Sequence, residues 1–404
     1  MSGIKNFLTF NFMRYRLTQA AQRLMGQPMF KVLSRVKELE RGGKNIVHFQ
    51  IGDPDFSTPK HIVDAAIESL KLGRTHYESA RGSFEFREAV RHATNNSRGF
   101  LPDIDQILIA PGANILIYYA IACLVEPGDE VIVPDPGFAT YYAAISYCGV
   151  KAVPVPLLEK NHFRMNPKDV EARITEKTRL IIMNSPQNPT GSVMTSEEID
   201  AMAELAEKHD IYLYSDEIYS RMMFDETSRF HTPAKRDACR ERTILANGFS
   251  KAFAMTGWRL GVCIAPADVI EKMALLLETT SSCVSPFIQD AGLEAMTGDQ
   301  EPVKKMMAEY KARRDLLVEG LNNLPGIRCL TPGGAFYVFP NITETGMTSE
   351  EFAEFALEKA NVALLPGNCF GPSGEGYVRL CYATSRERIH EGLTRLRMAL
   401  ESRR

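Results

Sequence analysis

RLIIMN at 179–184 and IYLYS at 211–215 are two apolar runs of strand length. Between them, residues 196–209 place Ile199, Met202, Leu205 and Ala206 on one face at helical spacing, with Ser196 as candidate N-cap. Strand, helix and strand in that order make a β-α-β unit, whose strands run parallel. Outward from this unit, similar runs recur at 106–110, 130–134, 151–155, 243–246 and 260–265, with a further helical stretch at 114–125. The seven runs read as strands buried on both faces, because they lack the polar alternation of a half-exposed sheet. The expected fold class is α/β, with a mainly parallel seven-stranded sheet flanked by helices. Ligands of such sheets bind outside the carboxyl ends of the strands, so the loops after these runs are the ones to search.

Beyond residue 300 the pattern changes to a long charged helix at 301–324, a strand at 334–339, a helix at 349–359, a strand at 376–381 and a helix at 385–400. These form a smaller α+β unit. Residues 23–41 are helical in pattern and precede the sheet by a long stretch. The expected organisation is a large domain over 53–300 and a small domain built from 1–52 and 301–404. A chain of 404 residues agrees with that, since a single core stops growing at roughly 250–300.

Lys and Arg total 47 against 50 Asp and Glu, a balance that calls for neither nucleic acid nor an anionic membrane as partner. No apolar run approaches the roughly 18 residues of a membrane span. At the N-terminus Asn6, Asn11 and Arg14 interrupt the only short apolar stretch, which argues against a secretory signal or transit peptide. The eight cysteines form no CxxC pair, and Thr394 stands where an HExxH motif begun at His390 would need its second histidine. Reduced cysteines, no metal site and a cytoplasmic location are expected.

The strand-end loops carry the chemistry. NGFSK at 247–251 puts Lys251 just past a strand. A lysine amine attacks carbonyls only when neutral, which requires burial or a neighbouring cation. Ser250 and Arg259 are suited to holding a phosphate. The following AFAMTGWRLG is too apolar for a solvated loop and holds the single Trp of the chain. YSDEIY at 214–219 brings Asp216 and Tyr219 to another strand end. Asp216 could merely cap a turn. It could also hold a pyridine nitrogen protonated, with Tyr219 bonding a phenolic oxygen of the same ring. NSPQNPTG at 184–191 is an irregular loop whose Asn188 can offer an amide to the same crevice. Gly112, Ala113 and Asn114 open a helix after the first strand and expose backbone N–H groups to an anion. Arg379 lies inside the apolar run YVRLC at 377–381, where it either makes a structural salt bridge or clamps a substrate carboxylate.

Together these loops resemble the class I/II aminotransferases of pyridoxal-phosphate fold type I. SKAFAMTGWRLG at 250–261 carries the likeness, with SPQNPTG at 185–191, SDEIY at 215–219 and VRLCYATS at 378–385 in the same order and spacing, over about residues 17–400. The resemblance implies pyridoxal 5′-phosphate joined to Lys251, Asp216 at the pyridinium, and Tyr219 and Asn188 at the ring oxygen. Ser250, Arg259 and the Gly112–Asn114 turn would hold the phosphate. It further implies a homodimer with active sites at the subunit interface, in which Tyr77 reaches the other chain's phosphate. Phe138 would stack over the ring, Arg379 would bind the substrate α-carboxylate, and Gly52 would let backbone approach that carboxylate. The implied activity is ping-pong transfer of an amino group from an L-amino acid to a 2-oxo acid.

Some acid-specific relatives have lysine where Asn114 stands and others arginine where Thr280 falls, so aspartate is not favoured over neutral or aromatic donors. Arg14, Arg16 or Arg23 could still supply a cation. The alternatives are a pyridoxal-phosphate carbon–sulfur lyase or synthase on the same scaffold, and a non-catalytic binding protein that keeps the fold. Pyruvate and ammonia released from cystathionine without an oxo acid would mark the lyase. The complete set of expected catalytic residues argues against the binding protein.

Overall fold

A computed structural model describes residues 16–26, 28–224 and 230–403. Arg14 and most of the N-terminal stretch discussed above lie outside the described residues. In chain order the strands are β1 (Val47–His48), β2 (Ile107–Ala110), β3 (Glu130–Asp135), β4 (Lys151–Pro156), β5 (Thr178–Asn184) and β6 (Tyr212–Asp216). They continue as β7 (Thr243–Gly248), β8 (Gly261–Ile264), β9 (Tyr337–Val338), β10 (Val362–Ala363), β11 (Leu365–Pro366) and β12 (Val378–Cys381).

The large sheet has seven strands in the order β2-β8-β7-β6-β5-β3-β4. Only β8 runs against its neighbours, pairing antiparallel with both β2 and β7. The fold is thus the α/β class expected, with a mostly parallel sheet and helices on both faces. Alternate residues of each strand feed different cores. Leu108, Val131, Val133, Leu180 and Ile182 pack on one side, and Ile132, Ile181, Met183 and Leu213 on another. Apolar side chains on both faces are what forces the helices to cover both.

β4 corrects the reading of seven doubly buried strands, because Lys151 and Pro154 on it are exposed and it lies at the sheet edge. Proline cannot donate to a ladder and is tolerated at such an edge. The helix after β5 is Ser196–Lys208, and its cap is Thr195 rather than Ser196. Thr195 Oγ1 accepts from Glu198 N while Glu198 Oε2 accepts from Thr195 N, a reciprocal capping box. Of the stretch expected to be helical at 23–41, Pro28–Arg41 forms the helix, and a separate single turn, Gln19–Gln22, precedes the expected start, with Gly26 and Pro28 breaking the pattern between the two. The strand expected at 334–339 shrinks to β9, since Ala335 takes φ +58° and leaves the extended region.

β12 lies between β11 and β9, antiparallel to both. β1 pairs in parallel with β10, Val47 opposite Val362, so the segment before the large sheet is joined to the C-terminal unit. Among the described residues no helix is long and apolar enough to cross a membrane.

Candidate active site

Parallel pairing puts Asn184, Asp216 and Ala246 level at the carboxyl ends of β5, β6 and β7. The loops that follow these ends carry Asn188, Tyr219, Ser250 and Lys251. Asn184 Nδ2 donates to the backbone oxygen of Asp216 at 2.9 Å, and its Oδ1 accepts from Asn188 N at 2.9 Å. One asparagine thereby fixes the loop after its own strand against the end of the next.

Lys251 is half-buried. Its Nζ donates to the carbonyl oxygen of Gly52 at 2.7 Å and stands 5.5 Å from the centre of the Phe336 ring. Burial lowers its pKa to about 8, the nearby Arg379 and Arg259 charges adding to the effect while Cys381 and Asp53 oppose it. Asp216 is 7% exposed and, among the described residues, pairs with no cation. Tyr141 Oη donates to its Oδ2 at 2.6 Å and the Ile218 amide to its Oδ1 at 3.2 Å. Burial nevertheless raises the carboxyl to about 6, because two neutral donors do not replace a counter-charge.

These two shifts act in opposite pH ranges. The Asp216 carboxyl keeps its proton to about pH 6 when folded and to about 4 when unfolded, so its contribution to stability falls as pH rises through that interval and stays low above it. Lys251 is deprotonated more readily when folded, so its cost is present below about pH 8 and disappears as pH rises towards 10.5. In ligand-free protein, Asp216→Asn should therefore stabilise at pH 7 by on the order of 2–3 kcal/mol and bring no gain at pH 4. Urea unfolding at the two pH values measures this. A difference between the two proteins that does not change with pH would show that the carboxyl is not held in this way.

Arg379 is only 2% exposed. Nη1 donates to Asn188 Oδ1 at 3.0 Å and Nη2 to the Gln50 carbonyl at 2.7 Å, while Nε has no partner. The guanidinium lies over the rings of Tyr337 at 4.5 Å and Phe370 at 4.9 Å. No carboxylate among the described residues pairs with it, so the structural salt bridge is absent and a buried cation is left facing the crevice. Since Asn188 Oδ1 is engaged by Arg379, the Asn188 amide nitrogen is the group free to donate elsewhere.

Gly112 caps the helix Ala113–Leu124 with φ +93°, and as a glycine it has no side chain to bond the first amides. A Cβ on Gly112 would come 2.3 Å from Arg259 Nη2, so glycine is needed both for the backbone conformation and for the close approach of that guanidinium. Arg259 Nη1 donates to the Thr256 carbonyl at 2.9 Å. The amides of Ala113 and Asn114, together with Arg259, thus make a cationic cradle at a helix start, suited to a phosphate. Ser250 is buried nearby in sequence. Phe138 precedes the helix Ala139–Cys148, and its ring meets that of Tyr141, the Asp216 donor, edge-on at 5.7 Å.

Tyr77 stands apart. It is 88% exposed and makes no hydrogen bond with any described residue. Thr280 Oγ1 lies 2.5 Å from Tyr119 Oη, and Asn114 is exposed. A cavity of about 1200 Å³ borders Ser185 and Thr190 but touches none of Lys251, Asp216 or Arg379. Sequence reasoning missed Tyr141, Gln50, Tyr337 and Phe336, all of which contact the expected site residues. Tyr141, three residues after Phe138 on a helix, was the one within reach of spacing arguments.

A crevice at parallel strand ends, with an amine of lowered pKa, a buried unpaired carboxylate and a buried unpaired guanidinium, defines an enzyme of amine and carboxylate chemistry. The chain belongs to the aminotransferase class I and II family, whose model matches residues 44–396. It is 43% identical over 373 residues to an aspartate aminotransferase of Pyrococcus horikoshii, covering 91% of this chain and 95% of that protein. It is 40% identical over 375 residues to aromatic-amino-acid aminotransferase 2 of Thermococcus litoralis, covering 92% and 96%. The solved aromatic aminotransferase of Pyrococcus horikoshii superposes with a TM-score of 0.87 at 40% identity, over 92% of this chain and 99% of that one. The chain is accordingly an aminotransferase, and these relatives give no support to the lyase alternative.

Proposed function

We propose that this protein binds pyridoxal 5′-phosphate on Lys251 and moves an amino group from an L-amino acid to a 2-oxo acid. The observation that carries the reading is the pair of buried, unneutralised charges, Asp216 and Arg379. Each suits one half of the chemistry: a protonated ring nitrogen answers Asp216, and a substrate α-carboxylate answers Arg379.

When bound, the cofactor supplies an aldehyde that condenses with amines and a ring that withdraws electrons from the substrate carbon. Lys251 Nζ, partly neutral near pH 8, would be the base that takes and carries the proton of the substrate α-carbon. Tyr219 Oη and Asn188 Nδ2 would donate to the ring oxygen. Ser250, Arg259 and the Gly112–Asn114 amides would hold the phosphate, and Phe138 would pack against the ring. Arg379, with Asn188 and the Gly52 backbone, orients the substrate. Amino donor and oxo acceptor occupy this crevice in turn, which gives ping-pong kinetics.

The exposed Tyr77 supports a homodimer in which Tyr77 of the partner subunit reaches the phosphate. The β1–β10 pairing supports a small domain of 1–52 with 301–404 beside a large domain of 53–300. A cytoplasmic location fits the eight free cysteines.

A scan of aspartate, alanine, aromatic and branched donors against 2-oxoglutarate and pyruvate tests the activity. Parallel double-reciprocal lines are expected for the best pair. Intersecting lines, or turnover that needs no oxo acid, would contradict the mechanism.

A further inference from the structure

Tyr337 lies on β9, outside every strand-end loop, yet it touches three parts of the site. Its Oη is 2.9 Å from Tyr219 Oη, its ring carries the Arg379 guanidinium at 4.5 Å, and a Cβ on Gly52 would fall 2.0 Å from its Oη. The Tyr219 and Tyr337 rings meet edge-on, with centroids 5.8 Å apart and planes at 83°. We infer that Tyr337 is a positioning residue, donating its hydroxyl proton to Tyr219 so that the Tyr219 proton is left to point at the ring oxygen of the cofactor. This rests on the proposed place of Tyr219 beside that oxygen.

The two phenols carry one proton more than their shared hydrogen bond uses. Both phenols are buried, at 3% and 2% exposure, and burial keeps both well above the ordinary phenol range, so each retains its proton. Two O–H groups share one hydrogen bond, and neither oxygen has another partner among the described residues. One proton is therefore spare. Tyr337 Oη is packed against the Gly52 backbone, where the carbonyl already accepts from Lys251. Its useful acceptor is Tyr219, and the spare proton belongs to Tyr219. Accepting a hydrogen bond polarises the Tyr219 O–H and makes it a stronger donor. The charged or titratable groups around the pair are Lys251 and Asp216 from the strand ends, Arg379 and Cys381 from β12, and Asp53 from the loop after Gly52.

A stronger donor at the ring oxygen would favour its anionic form and, by drawing on that oxygen's charge, weaken the hold of the cofactor-linked Lys251 Nζ on its proton. The visible absorbance of the holoenzyme reports that proton. In Tyr337→Phe, which keeps the ring on Arg379, the midpoint of the absorbance–pH titration should rise by about 0.5–1 unit, the size of one neutral hydrogen bond. Tyr219→Phe should raise it further, and adding Tyr337→Phe to Tyr219→Phe should change nothing more. Tyr337→Met gives the same reading should the Phe variant not fold. A midpoint in Tyr337→Phe within about 0.2 unit of wild type, while Tyr219→Phe shifts, would reduce Tyr337 to packing. No shift in Tyr219→Phe itself would instead remove Tyr219 from the ring oxygen, and this inference with it.

Discussion

Lys251→Ala should abolish the visible absorbance that appears on adding pyridoxal 5′-phosphate and cut turnover by more than about 10⁴-fold, the upper end of what one positioned proton-transfer group contributes. The loss should be larger than for any other single residue because the proposed mechanism uses Lys251 twice, its amine both forming the covalent link and carrying the proton. The local structure prepares it for both. Burial brings the ammonium down to about pKa 8, so roughly a tenth of the amine is neutral at pH 7 and about half at pH 8, and the Gly52 carbonyl at 2.7 Å accepts from Nζ and holds it in place. Absorbance spectra of purified wild type and variant, each saturated with the aldehyde, test this directly. A variant that keeps the wild-type visible band would falsify the assignment of the amine. The Asp216 charge predicts the accompanying stability change. Loading the cofactor sets a cation beside a carboxyl that burial otherwise pushes to about 6, so wild-type stability should gain more from the cofactor than that of Asp216→Asn.

Arg379→Ala should lower kcat/KM for amino acids by about 10²–10³-fold, equivalent to about 3–4 kcal/mol, because it removes a buried charge-assisted contact and leaves the Asn188 and Gln50 acceptors unanswered. Arg379→Lys should recover little, since an ammonium keeps the charge but loses the planar fork that Asn188 and Gln50 grip. The control is chemical. An amine of similar shape without a carboxylate has nothing to give the guanidinium, so wild type and variant should turn it over at equal, low rates. Equal losses on both kinds of amine would mean that Arg379 supports the fold around β12 and does not read the substrate.

The parts of the site legible in the sequence are those that sit one loop beyond a strand end. Lys251, Asp216, Asn188 and the Gly112 turn each lie at or within a few residues after an apolar run, and parallel pairing of β5, β6 and β7 brings the strand ends of the first three level whatever the helices do. Arg379 was legible for a different reason, as a charge stranded in an apolar strand. Gln50 and Tyr337 were not, because their roles arise from contacts with residues 329 and 118 positions away. Neither has an unusual neighbourhood in the sequence: a backbone carbonyl has no signature, and a tyrosine in a strand is ordinary core material. The edge position of β4 was not legible, because seven runs of similar hydrophobicity do not by themselves say which lies outside, although Pro154 within its run was the available signal.

The grip on Arg379 comes from residue 188, 191 positions away, and from residue 50, 329 positions away, and one N–H remains unclaimed. The guanidinium itself ties together three lengths of polypeptide with almost nothing in common along the chain: the N-terminal segment, the loop after β5, and β12. Its unclaimed Nε–H is a donor that an incoming carboxylate can take without undoing that knot.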